Sequence, residues 1–305
     1  MIRPRRLQRG DRIALVAPAS AFNRSDLDAG VAELQRLGFE PVYDEDILER
    51  GRFEAGAPAT RARVLHQAWR DPSVAALVAV RGGYGSQQLL PLLEPDVMRA
   101  GGKLLIGYSD ITALLCWSFA HGVVSIHGPM IEGRFSKGTS AYDECSFLRA
   151  VAWAEPMGAL APEGLEVFRH GEADGPIVGG TLTQLVSLLG TPWAFDVPPG
   201  AVLLLEDVGE RPYRVHRMLT QLAQSGVLAR AGALVFGEFP GCDEPGGSPA
   251  IKDVIREFVQ GFPGPVLFGF PIGHTSGPSW TIPIGVRGRV TGTTPAVVVE
   301  EPAVR

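Results

Sequence analysis

Residues 75–85 read AALVAVRGGYG, a short apolar run that passes directly into a cluster of glycines. An apolar run of this length predicts a β-strand, and the glycines predict a loop at its carboxyl end. Open α/β sheets bind their ligands at the carboxyl ends of their strands. This segment therefore predicts an α/β fold with a binding site beside Arg81-Gly82-Gly83-Tyr84-Gly85, which we call the glycine loop.

The segments around this strand repeat the same pattern. Further strands are predicted at 12–18, 41–43 and 104–108, and they alternate with helices predicted at 25–38, 60–69 and 111–121. Such alternation is typical of β/α units around a mostly parallel sheet. Composition changes near 155–174, where Pro and Gly interrupt the apolar pattern. We expect an N-terminal domain at 1–155 with a mostly parallel sheet flanked by helices, a linker at 156–174, and a smaller C-terminal α/β domain with short β-strands at 175–305.

The composition is that of an ordinary globular protein. Hydrophobic residues make up 45% of the 305 residues and charged residues 20%, so the chain can bury a sizeable core. The net charge is −5 and basic residues form no dense stripe, so we expect no nucleic-acid partner. No stretch approaches the ~20 apolar residues of a membrane helix, and the N-terminal segment lacks a signal peptide's long apolar region. We expect a cytoplasmic protein with no membrane partner.

The cysteines and histidines carry no metal signature. The three cysteines are widely spaced, and Cys116 lies in the apolar run ITALLCWSF, where we expect a buried structural thiol. None of the six histidines belongs to an HxxxH or HExxH motif. The sequence therefore predicts no disulfide, no metal site and no cofactor.

Three polar residues follow apolar strands. Ser109 comes after LLIGY, Glu206 after VLLL and His274 after VLFGFPIG. A hydroxyl, a carboxylate and an imidazole are the parts of an acyl-transfer triad, because serine becomes a strong nucleophile only when an imidazole takes its proton. Each residue alone has a structural explanation: a helix N-cap for Ser109, a solvated carboxylate for Glu206, and a surface loop for His274. Their joint occurrence at strand ends favours the triad.

The turn around Ser109 resembles the Gly-x-Ser-x-Gly nucleophile elbow, with one difference. The sequence is Gly107-Tyr108-Ser109-Asp110-Ile111, so the second glycine is absent. A serine between a strand and a helix lies at a helix N-terminus, where backbone N–H groups favour a developing anion. The N–H of Asp110 is thus one candidate oxyanion donor, and the glycine loop is a candidate source of a second.

Six short motifs occur in the order known from one enzyme family: the glycine loop, Gly107-Tyr108-Ser109-Asp110, Gly179-Gly180-Thr181-Leu182, Leu205-Glu206-Asp207, Pro212-Tyr213-Arg214 and Gly273-His274. On these motifs the chain resembles the LD-carboxypeptidases, also called muramoyltetrapeptide carboxypeptidases, and their microcin-immunity relatives. The resemblance implies a triad of Ser109, Glu206 and His274, and an oxyanion hole formed by the backbone of Gly83 and Asp110. It departs from the family at Thr181, where Asn is frequent, and at His216, where Asp is frequent and where we expect a helix-surface residue.

The resemblance also implies an activity. Family members hydrolyse the L,D bond to the C-terminal D-alanine of cytoplasmic murein tetrapeptides during cell-wall recycling, and usually form homodimers. We expect substrate contacts from Arg81, Gly82, Tyr84 and Thr181, with Arg214 a second candidate for the substrate's carboxylate.

Three alternatives remain open at this point. One is hydrolysis of an aminoacyl-nucleotide or peptide-nucleotide of the microcin type, with Trp193 or Trp280 stacking on the base. The others are a non-catalytic binding protein and an α/β-hydrolase esterase, and the missing second elbow glycine counts against the esterase.

Overall fold

The computed structural model describes all residues from 1 to 305. The chain divides into two compact units, each with its own sheet and flanking helices, so the predicted α/β class is confirmed. The first unit holds residues 1–155, 277–285 and 302–305, and the second holds residues 156–276 and 286–301.

The strands and helices are numbered here in chain order. The strands are β1 (Arg12–Val16), β2 (Glu40–Val42), β3 (Val74–Ala79), β4 (Leu104–Gly107), β5 (Ser125–His127), β6 (Gly158–Leu160), β7 (Glu166–Arg169), β8 (Glu172–Thr181), β9 (Ala201–Glu206), β10 (Ala231–Phe236), β11 (Val266–Phe268), β12 (Ile282–Ile284), β13 (Arg287–Thr291) and β14 (Ala296–Val299). The helices are α1 (Arg24–Arg36), α2 (Pro58–Arg70), α3 (Pro95–Gly101), α4 (Thr112–Ala120), α5 (Glu144–Ala152), α6 (Leu182–Leu188), α7 (Pro212–Gln224), α8 (Val227–Arg230) and α9 (Ile251–Phe258).

The first unit is built on a six-stranded sheet in the order β12-β5-β4-β3-β1-β2. Strands β1 to β5 are parallel, and β12 pairs antiparallel with β5 at one edge. Every residue of β3 is buried, as expected for a central strand of a parallel sheet that is covered on both faces. The glycine loop follows β3 and Ser109 follows the adjacent parallel strand β4, so both lie at the carboxyl ends of the strands.

Helix α4 follows Ser109 and is apolar on nearly all sides. Residues 112–118 are all buried, which is the pattern of a helix enclosed by the core. Cys116 lies on this helix, is 6% exposed, and is a free thiol whose pKa burial raises. The predicted role of Cys116 as a buried structural thiol is therefore confirmed.

The second unit is built on an eight-stranded sheet in the order β6-β14-β13-β8-β9-β10-β11-β7. Its central strands β8 to β11 are parallel, and the strands outside them pair antiparallel. Glu206 is the last residue of β9, and the segments after β10 and β11 leave the sheet at the same edge. The topology therefore brings the residues that follow these three strands close together.

The division of the chain differs from the predicted domains in three places, the shortest of which is 302–305, expected in the C-terminal domain and found in the first unit. Residues 156–174, expected to form a linker, contain β6, β7 and the first residues of β8. Residues 277–285, expected in the C-terminal domain, belong to the first unit, where β12 covers the open edge of β5. The differences at 156–174 and 277–285 have one cause: short strands broken by Pro and Gly have too few residues for a visible alternation, and their pairing partners lie far away in sequence.

Candidate active site

Ser109 occupies a strained turn between β4 and α4. Its φ is +62°, in the left-handed region that residues other than glycine rarely adopt. A 3-10 turn spans Ser109–Ile111. Strain of this kind costs on the order of 1–3 kcal/mol and persists only where the surrounding structure imposes it. A serine held in a strained strand-to-helix turn is the arrangement of a nucleophile elbow.

The missing second elbow glycine has a structural explanation. A Cβ added to Gly107 would lie 2.9 Å from Cγ2 of Ile111, so the isoleucine side chain occupies the space that a side chain at position 107 would need. Ile111 is itself fully buried. The turn therefore keeps the first glycine of the elbow and fills the position of the second with a core residue.

The glycine loop packs directly against Ser109. A Cβ on Gly82 would lie 2.7 Å from Cβ and 2.8 Å from Oγ of Ser109, and 3.4 Å from the backbone nitrogen of Asp110. Only glycine fits such an approach. Gly83 follows with φ +95°. The two predicted sources of oxyanion donors, the glycine loop and the backbone of Asp110, are thus neighbours of the serine within one unit.

The side chain of Asp110 faces away from solvent and supports the loop. Its carboxylate accepts a hydrogen bond from the backbone N–H of Ser86 at 2.7 Å, and it is only 2% exposed. Burial raises the pKa of Asp110, while the hydrogen bonds from Ser86 act in the opposite direction. Ser86 was not predicted as a site residue, because one serine after a glycine cluster has no distinctive pattern.

Glu206 and His274 form a buried pair in the second unit. Nδ1 of His274 lies 2.8 Å from Oε2 of Glu206, and the backbone N–H of His274 donates to the same oxygen at 2.9 Å. Glu206 is fully buried, and the side chain of His274 is 20% exposed. The carboxylate fixes the imidazole orientation and keeps a proton on Nδ1, so that Nε2 is the basic nitrogen. These are two of the three parts of the predicted triad.

Two further residues fix Glu206. The hydroxyl of Thr181 donates to Oε1, the other oxygen of the carboxylate. Gly273 has φ +59°, and a Cβ there would lie 2.5 Å from Cδ of Glu206. The hydroxyl of Thr181, a residue expected to contact substrate, thus supports the glutamate.

Glu238 holds the loop that carries His274 and was missed in the sequence. Its carboxylate accepts hydrogen bonds from the hydroxyl of Thr275 and from the backbone N–H of Ser276, the latter at 2.9 Å. Glu238 comes two residues after β10, just as Glu206 ends β9. The criterion that identified Glu206, a carboxylate at the end of an apolar strand, would therefore also have identified Glu238.

Asp207, next to Glu206, is a second buried carboxyl group. It accepts hydrogen bonds from the backbone N–H of Thr183 at 2.9 Å and from the Thr183 hydroxyl at 2.7 Å, in the first turn of α6. Burial, with a smaller contribution from the neighbouring Glu206 carboxylate, raises the pKa of Asp207 to about 6. Asp207 thus caps a helix beside the Glu206–His274 pair.

The other predicted substrate residues lie on or near the surface. Arg81 pairs with Glu132 at 3.2 Å and donates to the backbone oxygen of Ala21. Tyr84 is 53% exposed and meets Phe53, which is 61% exposed, edge to face at 6.1 Å between ring centroids.

On α7, Arg214 lies beside Tyr213 and Glu210 at the surface. His216 is exposed on the same helix, as expected. The structure contains no group of three or more His, Cys, Asp or Glu side chains arranged to hold a metal ion. None of its helices has both the length and the apolar character needed to cross a membrane.

Comparison with known proteins finds relatives along nearly the whole chain. The profile of the LD-carboxypeptidase N-terminal domain matches residues 13–128, and that of the LD-carboxypeptidase C-terminal domain matches residues 174–290. The murein tetrapeptide carboxypeptidase of Pseudomonas aeruginosa is 34% identical over 269 residues, covering 86% of this chain and 88% of that protein. The microcin C7 self-immunity protein MccF of Escherichia coli is 27% identical, covering 89% of this chain and 87% of its own.

Solved structures agree with the sequence matches. The muramoyltetrapeptide carboxypeptidase from Oxalobacter formigenes superposes with a TM-score of 0.82 at 30% identity, covering 95% of this chain and 99% of that one. The two-sheet α/β architecture is therefore shared with a protein of that name.

Proposed function

This chain belongs to the LD-carboxypeptidase family, and on that premise we propose that it is a serine peptidase. We propose further that it hydrolyses the L,D peptide bond to the C-terminal D-alanine of murein tetrapeptides. The observation that carries the proposal is the hydrogen bond of 2.8 Å between Nδ1 of His274 and the buried carboxylate of Glu206. A buried carboxylate that orients an imidazole is what a serine nucleophile requires of its base. The strained turn at Ser109 supplies the candidate nucleophile.

The proposed reaction proceeds through an acyl-enzyme. Oγ of Ser109 attacks the carbonyl carbon of the residue before D-alanine, and Nε2 of His274 takes the serine proton. The backbone N–H groups of Gly83 and Asp110 bind the oxyanion. The C–N bond then breaks as His274 passes its proton to the departing amine of D-alanine. A water molecule, deprotonated by His274, hydrolyses the ester, and the proton returns to Ser109. Glu206 stabilises the imidazolium in both steps.

The remaining expected roles are part of the same proposal. We assign substrate contacts to Arg81, Gly82, Tyr84 and Thr181, with Arg81 and Arg214 as candidates for the terminal carboxylate. A guanidinium suits that role because it binds a carboxylate with two parallel hydrogen bonds. For Thr181 the assignment now includes support of Glu206, because its hydroxyl donates to that carboxylate. A cytoplasmic location, action in cell-wall recycling and a homodimeric state complete the proposal.

A second candidate function is hydrolysis of an aminoacyl-nucleotide or peptide-nucleotide. The 27% identity to a microcin self-immunity protein over 89% of this chain favours it. Such a substrate needs an aromatic surface for the base, and Trp193 and Trp280 are half-buried candidates. The 34% identity to a murein tetrapeptide carboxypeptidase favours the first candidate.

Steady-state kinetics on both substrate classes distinguish the candidates. We expect the larger kcat/KM for a murein tetrapeptide ending in D-alanine. The same tetrapeptide ending in L-alanine should be nearly inert, because a swapped hand puts the methyl group where the carboxylate binds and leaves its partner unpaired. Preference for the nucleotide compound, or equal rates on the two alanine hands, would contradict the murein assignment.

A further inference from the structure

The glycine loop is anchored at both ends to other residues of the first unit, at one end by Ser20 and at the other by the buried side chains of Arg61 and Asp110. At its start, the backbone N–H of Ser20 donates to the carbonyl of Gly82 at 3.1 Å, and Oγ of Ser20 accepts from the N–H of Tyr84 at 3.0 Å. A Cβ on Gly83 would lie 2.4 Å from that same Oγ. Gly83, whose N–H is the proposed oxyanion donor, is therefore held between two anchored residues.

At the other end of the loop, the Gly85–Ser86 peptide unit forms hydrogen bonds on both sides. The carbonyl of Gly85 accepts a hydrogen bond from Nη1 of Arg61 at 2.9 Å. The N–H of Ser86, in the same peptide unit, donates to the Asp110 carboxylate at 2.7 Å. The hydroxyl of Ser86 also donates to the backbone carbonyl of Asp110. A buried cation and a buried carboxylate thus fix a single peptide plane, and the carboxylate belongs to the residue after Ser109.

Arg61 itself is a buried arginine with neutral hydrogen-bond partners. It is 3% exposed, and it donates to the carbonyls of Pro18 at 2.6 Å and Gly56 at 3.2 Å and to the side-chain oxygen of Gln88 at 2.6 Å. Burial lowers its pKa. Removing a cation from water is costly, and neutral acceptors return less of that cost than a directly paired carboxylate does.

The approach of Arg61 to the loop also explains why position 85 is a glycine. Gly85 has φ +119°, and a Cβ there would lie 2.9 Å from Nη1 of Arg61 and 2.8 Å from Cγ of Glu54. A side chain at position 85 would push the guanidinium away from the carbonyl that it binds. The hydrogen bond from the buried Arg61 to this carbonyl therefore requires glycine at position 85.

We propose that Arg61 is a positioning residue for the reaction: by fixing the Gly85–Ser86 peptide unit against Asp110, it sets the place of the oxyanion donors beside Ser109. This inference rests on the proposed function, in which Gly83 and Asp110 bind the oxyanion. Arg61 lies on α2 and acts through the glycine loop. Arg61 should affect the stability of the transition state and not the binding of substrate, because an oxyanion forms only in the transition state.

The test compares Arg61→Met with Arg63→Met. Methionine keeps the buried aliphatic volume of Arg61 and removes its donors. Arg63 is a matched control two residues along the same helix, 41% exposed, with partners Asp46 and Gln67 outside the glycine loop. Two rates are measured: release of D-alanine from a murein tetrapeptide, and covalent modification of Ser109 by a fluorophosphonate, whose phosphoryl oxygen occupies an oxyanion hole.

We expect Arg61→Met to lower kcat and the modification rate by roughly ten- to hundredfold, with KM changed less than about threefold, because misplaced catalytic groups act on kcat. Arg63→Met should leave all three near their wild-type values. Wild-type kcat and modification rate in Arg61→Met would overturn the inference. A rise in KM alone, or the same loss in both variants, would also overturn it.

A second variant covers the case in which Arg61→Met does not fold. Arg61→Lys keeps the charge but lacks the planar fork that binds several carbonyls at once. It should fold, as judged by circular dichroism, and show an intermediate kcat; a wild-type kcat would overturn the inference. Failure of the proposed function is a separate result. In that case the wild-type protein releases no D-alanine, while the rate of Ser109 modification in the variants still tests Arg61.

Discussion

One carboxylate oxygen of Glu206 accepts two hydrogen bonds from a single residue, His274. The imidazole Nδ1 lies 2.8 Å from Oε2, and the backbone nitrogen lies 2.9 Å from the same atom. The glutamate therefore fixes the backbone and the ring of His274 together, while Glu238 holds the two residues that follow. Because one oxygen accepts both hydrogen bonds, the Glu206–His274 pair is sensitive to changes in charge as well as in shape.

The first prediction is that Glu206→Gln folds and loses most of its activity. The amide oxygen can still accept both bonds from His274, but the charge that stabilises an imidazolium is gone. We expect kcat to fall by about 10²–10⁴-fold, as in other triads that lose their carboxylate. Steady-state kinetics with circular dichroism as a folding control measure this. A kcat within threefold of wild type would exclude Glu206 from the triad.

The second prediction concerns Gly273. In Gly273→Ala the new Cβ would lie 2.5 Å from Cδ of Glu206, on a residue with φ +59°. We expect a loss of activity of at least about tenfold, in addition to the 1–3 kcal/mol of strain at such a φ. Gly209→Ala is the matched control, because Gly209 has φ +70° and nothing within 4 Å of the new Cβ. Equal effects of both changes on kcat would mean that strain alone acts.

A third prediction addresses the contact between Gly82 and Ser109. Gly82 does not have a positive φ, so Gly82→Ala acts through its new Cβ, 2.8 Å from Oγ of Ser109. The serine side chain must move, and we expect at least about a hundredfold fall in kcat, because small displacements of a nucleophile have effects of this size. Gly246→Ala, in an exposed loop with nothing within 4 Å, should be neutral. An active Gly82→Ala enzyme would contradict the proposed location of the nucleophile.

The fourth prediction is a pH dependence of stability caused by Asp207. The pKa of Asp207 is raised from 3.8 to about 6 by folding, so the folded state holds this proton more tightly than the unfolded state does. Its contribution to stability is complete below about pH 4 and is lost as the pH rises to about 6, a change of up to about 3 kcal/mol. In urea unfolding, Asp207→Asn should lack this decline, whereas the exposed Asp196→Asn should retain it. A decline of equal size in Asp207→Asn would show that other groups cause it.

The sequence predicts the parts of the fold in which chemistry and local pattern coincide. The apolar runs before Ser109 and Glu206 locate the ends of β4 and β9 without any knowledge of the sheet, and the run before His274 contains β11. The six short motifs indicate the family, and the family is confirmed by the profiles that match residues 13–128 and 174–290. In each case the signal lies within a few consecutive residues.

The features that the sequence does not reveal are those that depend on distant partners. Arg61 lies in an amphipathic helix, where an arginine normally faces solvent, and only the fold shows that it is buried against Gly85. Thr181 shows its bond to Glu206 only when β8 and β9 are paired. Strand β12 joins the first sheet from a segment more than a hundred residues away. Pairing across such distances has no local sequence signal.

The most direct test of the central claim is mass spectrometry of a murein tetrapeptide ending in D-alanine, incubated with the wild-type protein and with Ser109→Ala. The wild-type protein should convert the tetrapeptide to the tripeptide and free D-alanine. Ser109→Ala should fold and form product more slowly by several orders of magnitude, because removing one member of a triad removes most of its effect. Tripeptide formed by Ser109→Ala at the wild-type rate, or no tripeptide from the wild-type protein, would contradict the assignment of this chain as a serine LD-carboxypeptidase.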